Sequence, residues 1–241
     1  MKNKYNWKDY IGIFLLLSLI VSIIYSIVKI FTAPLEIDTT DLEYYELVKA
    51  DYLLMLLQCI LGLIIMKIPS FIEKRRRVDI PDFLEIMYFV FLFLAIVLGE
   101  VRNFYYVVPH WDTILHSFSG FMLAILGFYL VNLLNNSEKT HIHLTPFFVS
   151  LFSFCFALAI GAIREIYEFI MDSVLSLNMQ RYMLQNGTKL VGHEALIDTM
   201  KDIIVDAGSA LIISLMGYFS IKKRKKLPGF KFDIENISEE C

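Results

Sequence analysis

Long apolar blocks alternate along the chain with short polar connectors, a pattern that predicts helices crossing a bilayer. Six blocks approach the length of about 20 helical residues that a hydrocarbon core requires. They cover residues 10–33, 52–72, 83–99, 111–134, 147–170 and 198–221. The expected fold is therefore all-α: a six-helix bundle integral to the membrane, forming one polytopic domain over residues 1–241 and ending in a basic, then acidic, tail over 222–241.

Composition strengthens this reading. With 57% hydrophobic residues and a mean hydropathy of +0.59, too little polar surface remains to clothe a soluble globule. The first block follows Lys2, Lys4 and Lys8 but is longer than a signal-peptide core and lacks a small-residue cleavage site, so it is expected to stay as an anchor.

Orientation follows from the lysines and arginines near the span ends, because cytoplasmic loops hold the excess of positive charge. Fifteen of the 22 cations fall on one side: Lys2, Lys4, Lys8, Lys67, the run 74–77, Lys139, the run 222–226 and Lys231. Seven fall on the other: Lys29, Lys49, Arg102, Arg164, Arg181, Lys189 and Lys201. Both termini are thus expected in the cytoplasm. The acidic first loop, with Glu36, Asp38, Asp41, Glu43, Glu46 and Asp51, agrees but adds little, since acids barely influence insertion.

Three cysteines make no disulfide framework: Cys59 and Cys155 lie inside spans and Cys241 ends the tail, so free thiols are expected. The net charge of −3 averages two compartments and says nothing about partners, and no nucleic-acid motif is present. The tail cations Lys222 to Lys226 could hold anionic lipid headgroups; the plainer reading is a stop-transfer anchor.

Candidate chemistry enters where the apolar pattern breaks, because an ionisable side chain inside a span costs at least about 2.5 kcal/mol. Asp112 and His116 are four apart in the fourth span and share a helix face. Glu165, Glu168 and Asp172 form one stripe in the fifth. Asp198, Asp202 and Asp206 recur every four residues in the sixth and descend about 12 Å into the membrane. All three groups lie at the outer ends of their helices, a coincidence that the cation count did not require. They are expected to converge on a wetted pocket that opens outward.

Carboxylates this dense need cations or protons beside them. Arg102, Arg164 and Lys201 are near in sequence, and a divalent ion, Mg²⁺, Mn²⁺ or Zn²⁺, is the other counter-charge that suits oxygen donors with one histidine. The ligands assigned on this reading are Asp112, His116, Glu168, Asp202 and Asp206, with Glu165 as general base and Arg102 or Arg164 for phosphate.

Taken singly, each group admits a structural role: an interfacial hydrogen bond for Asp112 and His116, a local ion pair for Arg164 with Glu165 and Glu168, and an N-cap for Asp198. Asp202 and Asp206 resist this best, since their stripe enters the apolar segment. His141 and His143 read as exposed cytoplasmic residues, and His193 as a weaker candidate in the loop 173–197. That loop, at about 25 residues, exceeds the usual helix connection and could cover the pocket. Gly120, Ala124, Ala157, Gly161, Gly208 and Ala210 are small residues suited to close helix contact.

At these motifs the chain resembles a bacterial family of multi-pass membrane proteins of unknown function that includes the inner-membrane protein YjdF and a Gram-positive branch. The resemblance covers roughly residues 111–218. It rests on Trp111-Asp-Thr-Ile-Leu-His116 with Ser119-Gly, on Glu165-Ile-Tyr-Glu-Phe with Met171-Asp172, on Asn178-Met-Gln, and on Asp198-Thr-Met-Lys-Asp202 with Asp206. It implies a multi-pass membrane protein with this polar core, and no activity, substrate or metal.

Three function classes fit the residues. The first is a metal-dependent enzyme acting on a lipid-linked phosphate or ester. The second is a proton- or cation-coupled transporter, ranked lower because transport sites lie near the midplane, whereas here the cytoplasmic halves of the acid-bearing helices read as apolar. The third is a structural or accessory subunit whose polar cluster orders the bundle.

Overall fold

The computed structural model describes residues 6–35, 47–135, 144–175, 177–184 and 188–223. Lys2, Lys4, the acids from Glu36 to Glu46, Lys139, His141, His143, Gly187, the tail from Arg224 onward and Cys241 lie outside the described residues.

Six helical stretches are long and apolar enough to cross a membrane. They are α1 (Trp7–Thr32); α2 (Lys49–Ile65) with α3 (Ile68–Arg76); α4 (Asp82–Leu92), continued by π-helical turns over Phe93–Val101; α6 (Trp111–Asn135); α7 (Pro146–Leu175); and α8 (His193–Lys222). A short α5 (Phe104–Val107) connects the third and fourth spans. Among the described residues β structure is limited to one isolated bridge, Met183 with Lys189. The chain divides into two compact units, Met1–Trp111 and Asp112–Cys241.

In the first unit, Leu15, Leu19, Cys59, Met66, Phe89 and Leu92 form the buried apolar core. The second span, expected as one block, is broken between Ile65 and Ile68 because Pro69 has no N–H to give to the carbonyl four residues back. That carbonyl belongs to Ile65, and the Tyr88 hydroxyl donates to it at 2.7 Å. A buried acid escaped the sequence reading in the same unit: Glu85 in α4 pairs with Lys8 at 2.8 Å, and Lys8 also reaches Asp82 at 2.9 Å. The acid is tolerated because a flexible lysine from the α1 entry neutralises it.

In the second unit α6 is the most enclosed helix, with 50% of its apolar window buried against 28% for α7 and α8. Its partners approach through small residues. Ala124, Ala157 and Ala210 form a buried alanine contact among the three helices, and a Cβ on Gly120 would lie 2.9 Å from the Asp206 carbonyl and from the Ser209 Cβ. Gly208, grouped with these from the sequence, is a correction: a Cβ there meets nothing within 4 Å, because it falls on the exposed face of α8. The outward apolar faces of α7 and α8, with Ile163, Phe169, Ile204 and Ile212 all exposed, belong to a protein whose solvent is lipid.

Two further expectations are corrected. Helix α8 begins at His193, not near Asp198, so Asp198 lies inside the helix and caps nothing. Gly192 sits at the N-cap with a positive φ of 67°, and Glu194, Ala195 and Leu196 extend the helix through good helix formers. The halves of α7 and α8 remote from the acids are free of buried charge but not wholly apolar: Ser150, Ser153, Ser209 and Ser214 are buried there. The Ser153 hydroxyl donates to the Ala124 carbonyl, a packing role open to serine because its side chain is small.

Candidate functional site

The acids at the loop ends of α6, α7 and α8 gather around one imidazole. His116 is 1% exposed, and four carboxylates from three helices surround its ring. Its Nδ1 lies 3.3 Å from Asp206 Oδ2; its Nε2 lies 3.5 Å from Asp202 Oδ2, 3.7 Å from Asp112 Oδ1 and 3.9 Å from Glu165 Oε1. Helical spacing explains the placement. Asp112 is one turn from His116 on α6, Glu165 and Glu168 share the inner face of α7, and Asp202 and Asp206 face inward one turn apart on α8.

Asp206 fixes the ring. The Ser119 hydroxyl is 3.1 Å from Asp206 Oδ1 and 3.0 Å from the His116 carbonyl, so α6 holds the aspartate that holds its own histidine. Helix α7 leaves room for this carboxylate only because residue 161 is glycine; a Cβ there would stand 2.6 Å from Asp206 Oδ2.

Two arginines enter the cluster. The Arg164 guanidinium lies against the His116 ring, with Nη2 3.7 Å from Asp206 and 3.8 Å from Glu165, and Nε 3.9 Å from Glu168. Arg181 was counted in the sequence only as a connector cation, yet it spans Asp112 at 3.6 Å and Asp198 at 3.8 Å. Its contribution could not be read from spacing, because a loop residue is placed by the loop's fold and not by helix periodicity.

The loop is built for that placement. Asp172, expected to share the site with Glu165 and Glu168, instead accepts the Met179 N–H at 2.7 Å and the Gln180 N–H at 3.0 Å. Both its oxygens are thus occupied in tethering the loop to α7. The Asn178 side chain closes a second ring with the Met183 backbone, donating at 2.6 Å and accepting at 2.9 Å, and Arg181 sits at the top with a positive φ of 47°. Asp172→Ala is expected to free residues 177–184 and to raise their cleavage rate in limited proteolysis by at least about tenfold, since a charged acceptor of two amides is lost.

Arg102 belongs to the first unit, where its N–H donates to the Val97 carbonyl at the end of the π-helical turns and its side chain is exposed. His193 is the exposed first residue of α8, and Lys201 is exposed on the same helix. Cys59 and Cys155 are free thiols.

Two sets of donor atoms lie within 4.8 Å of one another: Asp112, His116 and Asp202, and His116, Glu165 and Glu168. Both are oxygen-rich with a single imidazole nitrogen, a donor chemistry that fits Mg²⁺, Mn²⁺ or Zn²⁺ and offers nothing to thiolate-seeking ions.

Residues 11–223 match the family described as "Predicted membrane protein (DUF2238)". The chain belongs to this family. It is a multi-pass membrane protein, and the family resemblance read from the motifs holds at that level. An uncharacterised protein of Thermotoga maritima is 29% identical over 167 residues, which cover 67% of this chain and 73% of that protein. No solved structure matches this chain.

Proposed function

We propose that the second unit holds a divalent metal ion among α6, α7 and α8 and acts as a metal-dependent enzyme on a phosphate or ester group of a membrane lipid or lipid-linked molecule. One observation carries the reading: the His116 ring is enclosed by carboxylates from three spans. If all were ionised, Asp112, Glu165, Glu168, Asp198, Asp202 and Asp206 would exceed Arg164 and Arg181 by four negative charges. A low-dielectric interior tolerates such an excess only with added cations or protons.

The distances support the following roles. Asp206 accepts from Nδ1 and orients the ring, a carboxylate–histidine arrangement that leaves Nε2 for the ion. Asp112, His116 and Asp202 would be the first ligands, and Glu168, grouped with the same histidine, would add a carboxylate from α7. Glu165 is the general base, and Arg164 swings from the ring to a phosphate oxygen. A bound ion would supply Lewis acidity and an activated water. By the distribution of cations, the cluster opens on the non-cytoplasmic side with both termini in the cytoplasm, and the basic residues after Lys222 touch anionic lipids.

The test is turnover by the full chain reconstituted in vesicles carrying lipid phosphates and esters. Release of phosphate or acid should require added Mn²⁺, Zn²⁺ or Mg²⁺. It should vanish with Asp202→Asn in a folded protein and fall by about 10–100-fold with Asp206→Asn. A wild type silent on every such substrate with every ion would overturn the reading in favour of proton-coupled transport or a structural polar core.

A further inference from the structure

A cavity of about 620 Å³ lies between α7, α8 and the loop, within the range of about 300–1,000 Å³ typical of small-molecule sites. Along α7 its lining runs from Ala162 to Ser173, about 16 Å at 1.5 Å per residue. Most of that lining is apolar, with Ile166 and Phe169 from α7 and Leu196 and Ile203 from α8. Ile166, Phe169 and Leu196 are also more than half exposed, so the groove opens sideways among side chains that face lipid.

Its polar end is unusual. Glu165 lines the groove and belongs to the cluster around His116. The residue is 4% exposed, yet neither carboxylate oxygen has a hydrogen-bond partner. The nearest side-chain nitrogens, Arg164 Nη2 and His116 Nε2, stop at 3.8 and 3.9 Å from it. Gln180 donates to the Glu165 carbonyl and not to its carboxylate, and Asp172 accepts from loop amides and supplies no donor. A buried acceptor without a donor is costly, more so when charged, so the donor is expected to come from whatever fills the groove.

We infer that this groove takes the hydrocarbon chain of a membrane lipid whose hydrogen-bond-donating head, a hydroxyl or an ammonium, meets the Glu165 carboxylate. The inference deepens the proposed function by naming the substrate class of the same cluster, and it rests on that reading only through Glu165. A head without a donor, such as a carboxylate or bare phosphate, leaves the Glu165 oxygens unpaired, so a phosphate-bearing lipid fits only where a hydroxyl or ammonium accompanies the phosphate. The chain enters from the bilayer, since the mouth is flanked by lipid-facing residues and most of the lining is apolar.

The experiment uses the full chain in lipid nanodiscs with photoreactive diazirine analogues of hexadecan-1-ol, hexadecylamine and hexadecanoic acid. The alcohol and amine are expected to label peptides containing Ile166, Phe169 and Ile203, and the acid to label them about tenfold less. Ala162→Phe, or Ile203→Trp from the opposite helix, should fill the groove and lower this labelling about tenfold while labelling of the lipid-facing Phe14 is unchanged. Glu165→Leu should erase the preference for donor heads.

Equal labelling by all three probes, unaffected by either filling variant, would mean ordinary boundary lipid and overturn the inference. Metal content measured on the same samples separates the two proposals. Bound metal without groove labelling defeats the groove alone, and selective labelling without metal supports the groove while defeating the metal centre.

Discussion

Stripped of divalent ions, Asp202→Asn is expected to unfold at a higher temperature than the wild type. Asp202 is 2% exposed and faces Asp112, Glu165 and Asp206 around one imidazole. Asparagine keeps its shape and removes one of the excess charges, so packing is retained and repulsion falls. Relief at functional sites of this kind commonly yields about 0.5–2 kcal/mol, a shift of several degrees for a chain of this size. With saturating Mn²⁺ or Zn²⁺ the order should invert: at one hundred times its dissociation constant an ion adds about 2.7 kcal/mol to the wild type and far less to the variant. Were the cluster a structural ion-pair network, Asp202→Asn would lower the unfolding temperature under both conditions. Thermal unfolding in detergent with and without chelator therefore reads the sign directly.

The second large effect contrasts two glycines in the same pair of helices. Gly161→Ala is expected to destabilise the protein by about 1–3 kcal/mol, as overpacking of a filled contact does, because its Cβ would press on Asp206 Oδ2 at 2.6 Å. The displaced carboxylate would release Nδ1 of His116, so the loss of stability should come with a loss of metal affinity of about 10–100-fold. Gly208→Ala places its Cβ in open space in the middle of a helix. It should instead gain about 0.4–1 kcal/mol through a less flexible unfolded chain and leave metal binding unchanged. The measurement is the unfolding midpoint of each variant, paired with a metal titration. Equal effects of the two substitutions would contradict the close approach of α7 to Asp206.

Most of the fold was legible because apolar length is a signal that a bilayer enforces residue by residue. The sixth span shows where legibility stopped: its apolar segment starts near Asp198, but helix propensity and the Gly192 turn carry the helix back to His193. Pro69 was readable in principle as the cause of the break in the second span, and only tertiary structure shows that the Tyr88 hydroxyl takes the orphaned Ile65 carbonyl.

For the site, helical spacing sufficed to group Asp112 with His116, Glu165 with Glu168, and Asp202 with Asp206. Periodicity assigns a face and not a partner, however, so it put Asp172 among the site acids when the loop amides claim both its oxygens. The same limit hid Arg181, whose guanidinium reaches two site helices from a loop. Lys8 and Glu85 show it again in the first unit, since no spacing rule links residues so far apart in the chain.

The most direct measurement is the metal content, by elemental analysis, of the protein purified in detergent without chelators, beside an Asp202→Asn, Asp206→Asn double variant shown to be equally folded. Mg²⁺, Mn²⁺ or Zn²⁺ is expected at about one equivalent per chain in the wild type, as a single His-carboxylate site allows, and little in the variant. No metal in either protein, even after these ions are added back, would contradict the proposed metal centre.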